Sequence, residues 1–300
     1  MVTSEMVTGQ RPLRGLGRGM AAAALMLLSV AAAAVTFQAP LDATDWQLES
    51  SRFSCRLTQS IPDFGTAVFE HNAGEEVQFV LRSARASLMG KQTRITSEPP
   101  SWWAGRAPRQ IGMIEDQSRD TDLRVRSLMA RDMLASLSSG YLPTFTNGQW
   151  MGTTEPVKVA ISAANFGAAY ESYVDCVASL LPVNYRQIAR SAVLFPSGQW
   201  RLSDATKKRL DTVALYVKND PSITTIYVDG HSDNVGRRLS NRDLSRQRAE
   251  AVSQYLAQAG VGEEMITTRY HGERYPVVDN RGQENRARNR RVTVRLEREQ

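Results

Sequence analysis

Asp233 and Arg248 are the side chains in this sequence best placed for recognition chemistry. Asp233 lies in Val228-Asp-Gly-His-Ser-Asp-Asn-Val-Gly236, a loop that follows an apolar run. Arg248 lies in Asn241-Arg-Asp-Leu-Ser-Arg-Gln-Arg-Ala249, about two turns into the next helix. A strand–loop–helix connection of that length brings both side chains to one mouth. Such a pair is either a simple internal salt bridge or a receptor for a zwitterion, in which the carboxylate takes an ammonium and the guanidinium fork takes a carboxylate. Each charge-assisted hydrogen bond is worth roughly 1.5 to 3 kcal/mol where water is excluded. Spacing alone leaves both readings open.

Catalysis has less support. His231, Ser232 and Asp233 are the residue types of a hydrolase triad, but neighbours on a strand end point to opposite faces and cannot relay a proton. His231 therefore reads as a packed or loop-bonding histidine. No G-x-S-x-G elbow occurs, and Glu263-Glu264 after Gly262 reads as a solvated helix start. With only His71, His231, His271, Cys55 and Cys176 available, no zinc spacing can be assembled. The reading is non-enzymatic, with no metal and no cofactor.

Charge narrows the partners. The 300 residues carry 37 Lys+Arg against 31 Asp+Glu, a formal +6, too small an excess to argue for nucleic acid. Arg281, Arg286, Arg288, Arg290 and Arg291 make a basic run, but no aromatics interleave to stack bases. It reads as a basic rim facing an anionic polymer or lipid.

The elements that must position these residues follow from periodicity. After Arg190 the pattern alternates: a short strand at 191–195, a helix capped by Ser203 with Leu210, Val213, Ala214 and Val217 inward, and a buried strand at 223–228. A second helix, capped by Asn241, carries Leu244, Ala251, Val252, Tyr255 and Leu256. Strands at 265–270 and 291–296 complete a β-α-β-α-β-β order, which puts helices on one face of a mixed sheet. Residues 41–165 instead show alternating segments such as Glu75-Glu-Val-Gln-Phe-Val-Leu-Arg82, separated by Gly/Pro/Asn turns such as Thr146-Asn-Gly148. They predict a mostly antiparallel β domain with one helix at 121–138 and another at 165–181. Pro182 ends the latter, and 183–187 link the halves. Trp102, Trp103 and Trp150 read as core aromatics rather than as an exposed contact patch.

Residues 1–34 read as a secretory signal. Arg11, Arg14 and Arg18 precede an uncharged, Ala-rich stretch that closes on Ala32 and Ala34, and that stretch falls short of the roughly 20 strongly apolar residues that span a bilayer. An uncleaved anchor is the alternative, and Met6 or Met20 would also serve as a start. Cleavage leaves no membrane span and no N-terminal cysteine for a lipid. In an oxidising compartment an isolated cysteine pair reads as a disulfide rather than free thiols, so Cys55 and Cys176 are expected to be joined. The long loop so closed would stabilise the fold by about 4 to 5 kcal/mol on the chain-entropy model.

From about residue 185 onward the sequence resembles the OmpA-like peptidoglycan-binding domain. The resemblance rests on Gly230-His-Ser-Asp233, Asn241-x-x-Leu-Ser-x-x-Arg-Ala249, Tyr270-His-Gly-Glu273 with Pro276, and Asn289-Arg-Arg-Val292. It implies that Asp233 and Arg248 grip the ammonium and carboxylate of diaminopimelate in the peptidoglycan stem peptide. It assigns Asn241 and Arg290 to the pocket rim, and Asn289 and Arg291 to structural roles. Ser232 stands where the family usually has threonine, keeping the hydroxyl.

The first half is similar to the MotY family of periplasmic flagellar-motor proteins. Trp46 with Cys55, Ile61-Pro-Asp-Phe-Gly-Thr-Ala-Val-Phe69, Pro99-Pro-Ser-Trp102, Tyr141-Leu-Pro-Thr-Phe145 ending at Trp150, and Asp175-Cys176 carry that resemblance. It implies a non-enzymatic part of the T ring around the flagellar basal body, in the periplasm. The N-terminal half would dock to the basal body and contact stator proteins while the C-terminal half holds the wall. The expected fold is α+β: a signal at 1–34, an antiparallel β-rich docking domain at 35–182, and an OmpA-like domain of helices on a mixed sheet at 183–300. A stator B subunit would need a longer membrane helix with an ion-carrying carboxylate, and a porin many more strands of about ten residues. The remaining alternative is a generic soluble wall-binding protein serving another envelope assembly.

Overall fold

Alternation of apolar and polar residues in the first half produces two antiparallel β-layers rather than one. The computed structural model describes residues 35–89, 92–115, 122–147 and 156–299. The predicted signal at 1–34, the turn at Gly148 and Trp150 lie outside the described residues. The first-half elements are β1 (Val35–Gln38), β2 (Trp46–Ser50), β3 (Ser54–Ile61), β4 (Gly65–Asn72), β5 (Gln78–Arg82), β6 (Gln92–Glu98), β7 (Arg109–Glu115), β8 (Asp122–Val125), α1 (Ser127–Ser138), β9 (Leu142–Asn147), β10 (Val157–Ala160) and α2 (Phe166–Ser179). One sheet runs β2-β3-β4-β5-β8 and the other β1-β10-β9-β6-β7, with β1 and β10 the one parallel pair among them.

Their inward faces meet in a single core. Phe79 of β5 stacks on Phe145 of β9 at 5.5 Å, and both rings are fully buried. Met133 and Leu137 of α1 close one side, and Phe166 of α2 packs edge-on against Trp46 at 5.0 Å. The predicted helix at 121–138 is shorter than expected. Residues 122–125 form β8 because Leu123 and Val125 alternate inward, and pairing with β5 buries both. Cys55 of β3 and Cys176 of α2 are joined, with Cα atoms 6.0 Å apart, so the disulfide fastens the last helix of this half to its first hairpin. Trp102 departs from expectation: it is 62% exposed, whereas Trp103 is half-buried against Tyr141. The reason is local, since both lie in the Pro- and Gly-containing β6–β7 connection, beyond the strands whose side chains reach the core.

The second half comprises α3 (Tyr185–Ile188), β11 (Arg190–Leu194), α4 (Asp204–Asn219), β12 (Ile223–Gly230), α5 (Arg238–Gln258), β13 (Ile266–Tyr270), α6 (Gly282–Asn289) and β14 (Arg291–Arg298). The sheet order is β11-β14-β12-β13, parallel only between β12 and β13. The Ser203 hydroxyl accepts the Thr206 N–H at 3.2 Å and caps α4, whose Leu210, Val213, Ala214 and Val217 are buried as the spacing predicts. Asn241, by contrast, does not cap α5. The helix begins a turn earlier, the Asn241 N–H already bonds to the Arg237 carbonyl, and its side chain is free to turn elsewhere.

The arginines of the expected basic rim differ in exposure. Residues 282–289 form α6, whose end turns the chain inward, so that Arg291 is buried and Arg290 half-buried while Arg281 and Arg288 stay exposed. The expected link is itself folded. Asn184 and Gln187 make a reciprocal capping box around α3, and Leu181 and Ile188 join the second core together with Ala73 from the first half.

Several bonds cross this junction. Leu181 N–H donates to the Arg52 carbonyl at 2.9 Å, Gln187 Nε2 to the Gly74 carbonyl at 2.9 Å, and Asn184 Nδ2 to Glu75 Oε1 at 2.9 Å. Phe53 packs edge-on against Tyr216 at 5.5 Å. Gly74 has φ +67°, and a Cβ there would sit 2.3 Å from Gln187 Oε1 and 2.8 Å from Val183 Cα, so glycine sets the closeness of this contact.

Candidate functional site: a charged mouth at the start of α5

The end of β12, the loop at 231–237 and the first turns of α5 build the site. Close packing comes first: a Cβ on Gly230 would lie 2.1 Å from the Ser245 carbonyl oxygen, so only glycine lets α5 lie against the strand end. Backbone bonds then fix the loop. His231 N–H donates to the Arg291 carbonyl at 2.8 Å, Ser232 N–H to the Gly272 carbonyl at 2.9 Å, and Gly272 N–H to Ser245 Oγ at 2.9 Å.

Arg248 is fully buried on the inner face of α5. Its Nε donates to the Gln199 carbonyl at 2.8 Å, Nη1 to the His231 carbonyl at 3.2 Å and Nη2 to the Pro196 carbonyl at 3.0 Å, while its plane lies over the Phe195 ring at 5.2 Å. Three of its five N–H donors are thus taken by backbone carbonyls. Burial pulls this guanidinium down to about 10, Asp233 opposes that, and Arg290 adds to it. It therefore remains charged at neutral pH.

Asp233 faces the same mouth but is bonded to a different arginine. Its Oδ2 accepts from Arg290 Nη1 at 2.9 Å and its Oδ1 from the Val235 N–H at 3.2 Å. Arg290 is held in turn through Nε on the Phe195 carbonyl at 3.1 Å. Of the four residues picked from sequence, Asp233, Arg248 and Arg290 converge. Asn241 is buried and donates to Glu273 Oε2 at 2.7 Å.

Sequence reasoning missed the carbonyls of Phe195, Pro196 and Gln199, which come from the connection after β11 and hold the Arg248 and Arg290 guanidinium groups. Backbone acceptors leave no side-chain signature. It also missed Glu273 as the partner of Asn241, although the motif Tyr270-His-Gly-Glu273 names it. Asn289 is wholly buried, accepting from the Val277 N–H at 2.9 Å and donating to the Val278 carbonyl at 2.8 Å. Arg291 donates to the Tyr275 carbonyl at 3.1 Å, so both tie down the loop before α6.

His231 is packed, not catalytic in placement. It stacks on His271 at 5.0 Å, its Nδ1 is buried without a partner, and its carbonyl serves Arg248. Burial, with Arg291 and His271 nearby, pushes its imidazole down to about 4 against the opposing pull of Asp229. Asp229 accepts from Arg269 Nε at 2.7 Å and meets His271 Nε2 at 2.9 Å. Among the described residues no group of three or more His, Cys, Asp or Glu is placed to hold a metal ion, and no helix is long and apolar enough to cross a membrane.

A four-stranded mixed sheet with helices on one face and this loop–helix mouth defines an OmpA-type domain, and the OmpA family model matches residues 194–290. The MotY N-terminal domain model matches residues 37–182. The chain is thus a MotY N-terminal domain followed by an OmpA-family domain. It is 29% identical over 260 residues to the sodium-type flagellar protein MotY of Vibrio parahaemolyticus, covering 86% of this chain and 88% of that one. The putative lipoprotein YfiB of Escherichia coli is 33% identical over 104 residues, 34% of this chain and 64% of that one. Among solved structures, the peptidoglycan-associated lipoprotein from Burkholderia pseudomallei aligns at 28% identity over 35% of this chain and 89% of that one, with a TM-score of 0.34.

Proposed function

We propose that this protein is a non-catalytic structural component of the flagellar motor in the periplasm, docked to the basal body by residues 35–182 and bound to peptidoglycan by residues 183–300. The observation that carries the wall-binding half is the pairing of opposite charges where β12 meets α5: Asp233 acts electrostatically on Arg248, and its carboxylate keeps acceptor capacity beyond Arg290 and the Val235 N–H. Diaminopimelate in a stem peptide offers the matching ammonium and carboxylate. The MotY N-terminal domain supports the docking half. A tether must also pass force between its ends, and the bonds from Arg52, Gly74 and Glu75 into residues 181–187 supply a stiff junction. Stator units would then be held against the wall while torque is produced.

Two sedimentation assays test this reading. The mature protein should pellet with purified sacculi and with flagellar basal bodies from cells lacking it, and should release no soluble muropeptides from sacculi. Sacculus binding without basal-body retention would favour a generic wall-binding protein of another assembly.

A further inference from the structure

The β6–β7 connection presents aromatic and cationic groups that the N-terminal core does not use. Trp102 is 62% exposed and Leu41, across from it, is 51% exposed. Together with Pro99, Pro100 and Leu142 they wall a cleft of ≈ 460 Å³ whose floor holds the Glu98–Lys158 ion pair at 2.9 Å. Next to the cleft, Trp103 meets Tyr141 edge-on at 5.4 Å. Arg106 lies 5.0 Å from the Trp103 ring and donates to the Tyr141 hydroxyl at 3.4 Å, and Arg109 lies 4.5 Å from the Tyr141 ring. Neither guanidinium has a carboxylate within ion-pair distance among the described residues, although both are exposed.

These features point to a partner rather than to folding. Trp, Tyr and Arg are the residues that dominate binding energy at protein interfaces, where an apolar anchor fills a pocket and charged groups surround it. The cation–π stacking and the prolines at 99, 100 and 108 hold the loop in shape, so less ordering entropy is lost on binding. The two unneutralised arginines set the sign of what binds.

We propose that this loop is the contact by which the N-terminal domain docks: it takes a protein segment that places an apolar side chain in the cleft beside Trp102 and carboxylates on Arg106 and Arg109. The proposal rests on the docking reading and names the surface that performs it.

The test uses the full mature chain and basal bodies isolated from cells lacking it. Trp102→Ala and the double variant Arg106→Glu/Arg109→Glu should each be retained at least tenfold less than the unaltered protein, while sacculus binding is unchanged. The double glutamine variant should fall between, with a weaker dependence of retention on salt. Should Trp102→Ala lower the melting temperature, the arginine variants decide, because both side chains are exposed. Retention of the arginine variants at the unaltered level overturns the loop assignment and leaves docking intact. Failure of the unaltered chain to be retained overturns docking and this surface with it. Release by soluble glycan fragments, or arginine-dependent binding to phosphatidylglycerol vesicles, would make the surface a saccharide or lipid site and also overturn the proposal.

Discussion

Arg290 donates to Asp233 at 2.9 Å, so the carboxylate proposed to take a ligand's ammonium already has a counter-ion. A carboxylate has about four acceptor positions, and here Arg290 and the Val235 N–H take two. Arg290 therefore orients Asp233 without filling it. Asp233→Asn, which keeps the shape and removes the charge, should weaken co-sedimentation with sacculi by at least tenfold. Arg290→Gln should weaken it less, and equal losses would show that Arg290 contacts the ligand itself.

In the proposed function Arg248 is receptor as well as scaffold. Because its guanidinium satisfies three carbonyls, Arg248→Ala leaves them buried and unpaired and should cost about 3 to 5 kcal/mol, as seen when one member of a buried charged network is removed. Arg248→Lys retains charge but loses the fork and should destabilise less, by about 1 to 3 kcal/mol, while still abolishing most wall binding. Urea denaturation beside sedimentation separates the two effects.

Gly230→Ala tests the packing that builds the mouth. With a Cβ only 2.1 Å from the Ser245 carbonyl, α5 must move away from β12, carrying Arg248 with it. Overpacking of this kind costs typically about 1 to 3 kcal/mol. Both the melting temperature and sacculus binding should drop.

His231 makes stability depend on pH. The unfolded chain takes up this proton near 6.5, whereas the folded protein resists it until about 4. The neutral form is thus favoured by folding, its contribution is complete above 6.5, and it is lost as the pH falls toward 4. It amounts to at most about 3 kcal/mol. His71, whose imidazole burial also lowers, slopes the same way. His231→Gln should flatten the wild-type decline between pH 6.5 and 4 without removing the part due to His71, as read by urea midpoints at each pH.

The disulfide should matter locally. Removing Cys55–Cys176 frees α2 from β3, and loss of a native bridge typically costs about 2 to 5 kcal/mol. Calorimetry of the reduced protein should show the N-terminal transition lowered and sacculus binding retained.

Much of this was legible from periodicity and spacing. The α4 stripe, the strands β12 to β14 and the Cys55–Cys176 bridge follow from apolar patterning and compartment. The α5 inner face was legible in part: Val252 and Leu256 are buried as the stripe predicts, whereas the burial of Asn241, Ser245 and Arg248 against carbonyls and a carboxylate has no signal in apolar periodicity. In the 281–291 run the charge sequence alone does not say which arginines a helix end turns inward; the inward placement of Arg290 and Arg291 was legible only through the family resemblance. Trp102 failed in the opposite direction, since aromatic type suggests a core and only the loop geometry puts it outside.

The most direct test of the account is calorimetric titration of the mature protein with two stem peptides that differ only in carrying diaminopimelate or lysine. Lysine keeps the ammonium for Asp233 but lacks the carboxylate for Arg248. The account predicts at least tenfold tighter binding of the diaminopimelate peptide, with the difference abolished in Arg248→Lys. Equal affinity for the two peptides would contradict it.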